Sequence, residues 1–81
     1  MKIQVFYFAQ LRDFLQKESQ TLEFPDGTTV GELARWLVNQ PGWEALRFLP
    51  LLKAVNEEFA GDHQQLRSGD KVALLPPVAG G

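Results

Sequence analysis

The sequence contains no cysteine and only one histidine, His63. Without thiols, the chain can form neither a disulfide framework nor a zinc site of Cys and His, and it lacks the side chains for a Cys/His nucleophilic dyad. His63 stands between Asp62 and Gln64 with no second ligand nearby in sequence, so we predict no metal site. Most hydrolytic and redox chemistry is thereby excluded.

Concentrated positive charge and long apolar runs are also missing. Eight Lys and Arg residues are scattered among ten Asp and Glu residues, and the net charge is -2. We therefore expect no nucleic-acid partner. No apolar run is long enough to cross a bilayer, and the run from Ile3 to Phe8 is too short for a secretory signal. We expect a soluble, cytoplasmic protein with no membrane partner.

Alternating apolar residues predict strands at both ends of one small domain. The 81 residues, 44% of them hydrophobic, can bury a single core. Ile3, Val5 and Tyr7 share one face of a first strand over residues 2–9, and residues 71–75 predict a last strand. Weaker patterns predict a helical turn near residues 11–15 and short strands over residues 21–24, 52–55 and 59–60.

A main helix is predicted to begin after Thr29. Thr29 and Glu32 fit a capping box, and residues 43–49 predict a second, short helical segment. The order strand, strand, helix, strand, short strand, strand predicts an α+β fold over residues 1–75. This is a β-grasp (ubiquitin-like) mixed sheet packed against one main helix. The apolar residues of that helix recur at i, i+3, i+4, i+7 and i+8: Val30, Leu33, Ala34, Leu37 and Val38.

Residues 76–81 predict a flexible, extended C-terminal tail. Pro76 and Pro77 hold the backbone extended and cannot continue a strand. Gly80 and Gly81 have no side chain, so the tip can enter a narrow pocket. Because the chain has no thiol, any sulfur that it carries has to sit on the terminal carboxylate. We interpret Gly81 as the reactive tip of a functional tail, although a frayed terminus would share this composition.

Three segments resemble the small, sulfur-carrying subunit of molybdopterin synthase. They are Val5 to Arg12, Ala54 to Asn56, and Gly69 to Gly81. A terminal Gly-Gly after a β-grasp domain is shared with ubiquitin and with the thiamine and tRNA-thiolation carriers. Pro-Pro-Val-x-Gly-Gly after a Gly-Asp turn is similar to the molybdopterin group.

The resemblance implies a carrier that is not an enzyme on its own and holds no stably bound cofactor. An ATP-dependent activating enzyme would adenylate Gly81, and a sulfur donor system would convert it to a thiocarboxylate. The large subunit, as a heterotetramer with this chain, would then pass the sulfur to cyclic pyranopterin monophosphate. The tail residues that would thread into its pocket are Pro76, Pro77, Val78, Ala79 and Gly80.

The resemblance also assigns the apolar docking positions to Phe8, Phe59 and Leu75. For Phe8 the sequence pattern supports this assignment, because Val5 and Tyr7 already compete for the inner face of the first strand. Two alternatives stay open. The tail could serve thiamine synthesis, tRNA thiolation or protein modification, or the chain could be a β-grasp interaction module without chemistry.

Overall fold

A computed structural model of the chain describes residues 1–77, which form a five-stranded sheet and two helices. The strands lie in the order β2-β1-β5-β3-β4. The main helix, α2, is nine residues long, and neither helix of this described part is long and apolar enough to cross a membrane. The elements are β1 Lys2–Tyr7, α1 Gln10–Leu15, β2 Ser19–Glu23, α2 Val30–Val38, β3 Leu52–Val55, β4 Glu58–Phe59 and β5 Lys71–Leu75.

The last strand pairs beside the first, which makes the sheet mixed. β1 runs antiparallel to β2 and parallel to β5, while β3 is antiparallel to both β5 and β4. The predicted mixed sheet with one main helix is confirmed. Because β5 is a central strand, its two faces meet the core on one side and the outer surface on the other.

The core lies between the inner face of the sheet and α2. Ile3 and Val5 are fully buried and Tyr7 is 2% exposed, so the predicted alternation of β1 is confirmed. The Tyr7 hydroxyl donates a hydrogen bond to Gln20 Oε1 at 2.9 Å. Burial raises the pKa of Tyr7 to about 12, which keeps the phenol neutral. The helix contributes Val30, Leu33 and Leu37 to the same cluster.

The start of α2 is the predicted capping box. Thr29 Oγ1 accepts a hydrogen bond from the Glu32 backbone N–H at 3.2 Å. In return, the Thr29 N–H donates to Glu32 Oε1 at 3.0 Å. These bonds satisfy two backbone donors that the helix itself cannot. The hydrogen bond from the Thr29 backbone lowers the pKa of the Glu32 carboxyl.

The prediction of a second helical segment over residues 43–49 is wrong. The backbone of this segment makes successive turns, in which Leu46 N–H donates to Trp43 O at 2.9 Å and Leu49 N–H donates to Leu46 O at 3.0 Å. Trp43 is buried and packs edge-on against Tyr7 with ring centroids 5.8 Å apart. Three-residue turns keep these apolar side chains on the core without forming an α-helix.

The boundaries of three predicted strands shift by one or two residues. β1 ends at Tyr7, two residues early, because Ala9 adopts a positive φ of 52° at the start of α1. β2 is Ser19–Glu23 rather than residues 21–24, so it begins two residues earlier and ends one residue earlier than predicted. β4 is Glu58–Phe59 rather than residues 59–60, since the preceding turn takes only two residues.

Gly31 is expected to be essential for the contact between α2 and the loop around Asp62. A Cβ at Gly31 would lie 2.7 Å from Asp62 Cβ and 3.1 Å from the Asp62 carbonyl oxygen. The Gly31 N–H donates to that oxygen at 3.0 Å, so the loop cannot withdraw without losing a bond. We expect Gly31→Ala to lower the free energy of unfolding in urea by about 1 to 2 kcal/mol, because the overlap exceeds the gain in helix propensity.

Gly61→Ala is the matched control, since nothing lies within 4 Å of its added Cβ. It should leave the free energy of unfolding within about 0.5 kcal/mol of the parent value. Equal stabilities for the two variants would show that the Asp62 loop yields to the methyl group.

Candidate functional site

The outer face of the sheet carries an apolar groove that is formed by β3, β4, β5 and Phe8, the residue that follows β1. Ala54 lies opposite both Ala73 and Phe59 in the strand register. Two alanines at the centre leave room for larger side chains around them. The groove is lined by Phe8, Ala54, Glu57, Phe59, Ala73 and Leu75.

The structure brings together the three positions that the sequence predicted for docking. Phe8 is 45% exposed and Phe59 is 75% exposed, while Leu75 is half-buried. Large side chains this exposed contribute little to a core, and a contiguous apolar patch of them is typical of an interaction surface. The assignment of these residues to partner binding stays a prediction.

Phe8 is exposed because the core has no place for it. The inner face of β1 is filled by Ile3, Val5 and Tyr7, and successive side chains on a strand point to opposite faces. Phe6 and Phe8 therefore lie on the outer face. A second, smaller groove there is lined by Phe6, Phe8, Glu57, Lys71 and Ala73. We call the apolar residues of the two grooves the docking face: Phe6, Phe8, Ala54, Phe59, Ala73 and Leu75.

The turn between β3 and β4 is fixed to the start of β5 by Asn56. The Asn56 backbone N–H donates to Lys71 O at 2.8 Å, and Lys71 N–H donates to Asn56 Oδ1 at 3.0 Å. Asn56 Nδ2 also donates to Asp70 Oδ1 at 3.0 Å. These three bonds hold the turn, and with it Glu57, at the edge of the docking face.

Sequence reasoning did not identify Glu57 as part of this site. Glu57 is exposed, yet it lines both grooves of the docking face. The only available signal was Asn56 directly before it, because Asn favours the left-handed backbone of a tight turn. The two grooves thus combine the apolar docking face with the carboxylate of Glu57 and, in one groove, with Lys71, a composition suited to binding.

His63, Asp62 and Lys53 line neither groove of the docking face. His63 is exposed, and no three His, Asp or Glu side chains gather as a metal site within the described residues. Asp62 forms an ion pair with Lys53, whose Nζ lies 3.0 Å from Asp62 Oδ1. The hydrogen bond from Lys53 lowers the pKa of the Asp62 carboxyl. Because the Asp62 side chain is exposed, this ion pair is a surface contact, and we assign it no catalytic role.

The predicted tail begins at the docking face. Leu75 ends β5 and lines the larger groove, so the chain leaves the sheet beside that groove. Pro76 is half-buried and Pro77 is exposed. Val78, Ala79, Gly80 and Gly81 lie outside the described residues. Threading by residues 76–80 and the reactive role of Gly81 stay predictions.

Comparison with known proteins identifies a single family. The sequence pattern of the ThiS family matches residues 5–81. The molybdopterin synthase sulfur carrier subunit of Chlamydomonas reinhardtii is 34% identical over 84 residues, covering 100% of both chains. The subunit of the same name from Escherichia coli (strain K12) is 36% identical over 83 residues, covering 98% of this chain and 99% of its own length.

A solved structure shares the whole fold. The crystal structure of SAMP1 from Haloferax volcanii superposes with a TM-score of 0.84 at 26% identity, and the match covers 100% of both chains. The same archaeal protein is called a small archaeal modifier protein. The fold is therefore the ubiquitin-like β-grasp that the order of strands and helix predicted.

Proposed function

Because the chain belongs to the ThiS family, we propose that it is the sulfur carrier subunit of a molybdopterin synthase. Relatives of that name match it from end to end at 34% and 36% identity. The chain has no cysteine, so the sulfur travels on the carboxyl group of Gly81 as a thiocarboxylate.

The chemistry begins with an ATP-dependent activating enzyme. A carboxylate is a poor electrophile, so the Gly81 oxygen first attacks the α-phosphate of ATP and releases pyrophosphate. A donor system then delivers sulfur as sulfide, which attacks the acyl carbon and expels AMP. The resulting thiocarboxylate supplies one sulfur atom to cyclic pyranopterin monophosphate. Two such rounds provide the dithiolene that holds molybdenum.

The observation that carries this proposal is the position of Leu75. It lies on the docking face and is also the last residue of β5, so a partner that covers the face receives the tail at the same place. The large subunit is that partner, and the synthase is a heterotetramer of two copies of each chain. Once the docking face is bound to the large subunit, the transfer of sulfur from the tail becomes effectively intramolecular. The chain is a positioned reagent, and the large subunit supplies the catalytic groups.

The test is an intact-mass measurement coupled to reconstitution. We expect part of the protein purified from its native cell to have one oxygen replaced by sulfur. That fraction alone should convert cyclic pyranopterin monophosphate to molybdopterin when the large subunit is added. A chain that never acquires sulfur, in cells that make the cofactor, would contradict the proposal.

The likeness to SAMP1 supports a second candidate, a protein modifier. In that case Gly81 would form an amide bond with lysine side chains of other proteins. Incubation with the activating enzyme, ATP and cell extract would then yield conjugates of higher mass, and sulfide would not be needed. The same mass measurement therefore separates the two functions.

A further inference from the structure

Glu57 occupies a backbone conformation that suits a different residue. Asn56 and Glu57 form a two-residue hairpin loop, and both have a positive φ, 49° and 73°. Loops of this kind favour Asn followed by Gly, because Gly has no Cβ to clash in the left-handed region. Asn56 fits this preference and Glu57 does not. A strained residue of this kind persists only where surrounding contacts hold it and is typical of functional sites.

The strained residue lines both grooves of the docking face. Glu57 is the one charged side chain common to both grooves, and it shares one of them with Phe8 and Phe59. Lys71 lines only the smaller groove. No ion pair within residues 1–77 includes the Glu57 carboxylate. The only carboxylate that lines the docking face is therefore left to a partner.

We infer that Glu57 is a specificity-determining residue that pairs with a lysine or arginine side chain of the partner when the docking face is covered. The inference rests on the proposed function, since the partner is the large synthase subunit. A partner that covers Phe8 and Phe59 also removes water from the Glu57 carboxylate, which lines the same groove. An unpaired desolvated charge strongly disfavours binding, whereas a paired one sets register and rejects partners that lack the cation.

The structure offers a matched control one residue away. Glu58 is also an exposed carboxylate, but it lines a separate polar cavity with Asn56 and Arg67 and neither groove of the docking face. Glu57→Lys and Glu58→Lys change the net charge equally. A difference between them therefore reports position on the face rather than overall electrostatics.

The experiment measures binding of each variant to the purified large subunit from the same organism. We expect Glu57→Lys to raise the Kd about ten- to hundredfold, mainly through faster dissociation, while Glu58→Lys stays within about twofold. Glu57→Gln should weaken binding less and should reduce the dependence of Kd on salt.

Glu57→Gly separates this role from a structural one. Removing the strained side chain should raise the free energy of unfolding and weaken binding to the large subunit, two changes of opposite sign. If Glu57 had only a structural role, Glu57→Gly would raise the free energy of unfolding without weakening binding. Unchanged affinity of Glu57→Lys, or equal losses for the two Lys variants, would overturn the inference. If the parent chain itself failed to bind the large subunit, the proposed function would fall first, and this inference with it.

Discussion

A chain that lacks Gly81 is expected to deliver no sulfur, while its free energy of unfolding changes by less than about 0.5 kcal/mol. The sheet, the main helix and the buried core all lie within residues 1–77, so loss of the last residue removes none of them. Without Gly81 the chain ends at Gly80, and its carboxyl falls one residue short, about 3.5 Å of extended chain, of the position where adenylation and sulfur transfer would take place. Molybdopterin formation with the large subunit, set beside urea unfolding, measures both effects.

An extension beyond Gly81 provides the matched control. A chain that continues past Gly81 through a protease site has the same domain and a blocked carboxyl, so it should be inactive until cleavage restores Gly81 as the last residue. Recovery on cleavage would assign the loss to the carboxyl group. Molybdopterin formation by the uncleaved chain or by the chain without Gly81 would contradict the carrier proposal.

Local sequence signals predicted most of the fold correctly. The alternation of Ile3, Val5 and Tyr7 and the capping box of Thr29 depend on neighbours within a few residues, and both are found in the structure. The segment over residues 43–49 was mispredicted because it is too short for helical periodicity to decide its conformation. Burial of Trp43 against Tyr7 is a tertiary contact that the segment's own sequence does not encode.

The candidate site was predictable in part. Its three apolar positions came from the family resemblance, and only for Phe8 did the pattern of β1 itself indicate the outer face. The sheet register that places Ala54 opposite Ala73 joins strands distant in sequence, so it could not be read from composition. Glu57 was missed because a charged turn residue is normally solvated. The sign of its φ and its place between two grooves are visible only in three dimensions.

The second prediction with a large expected effect concerns the docking face. Phe8→Asp is expected to weaken binding to the large subunit by on the order of 2 to 4 kcal/mol, or about thirtyfold to nearly a thousandfold in Kd. The substitution removes an apolar side chain that is 45% exposed in the free chain. It also adds a carboxylate to a surface that becomes desolvated on binding, next to that of Glu57. Calorimetric titration of the large subunit with each chain measures the change.

Phe48→Asp is the control, because Phe48 is 87% exposed and lines neither groove of the docking face. The two variants change charge and hydrophobicity equally, so a loss of affinity confined to Phe8→Asp would locate the interface on the outer face of the sheet. Both should unfold in urea close to the parent, since neither phenylalanine belongs to the buried cluster. If Phe8→Asp instead unfolds the domain, Phe8 supports the fold and the docking face is misassigned. If it folds and binds like the parent, the large subunit is held elsewhere and the tail is not guided by Leu75.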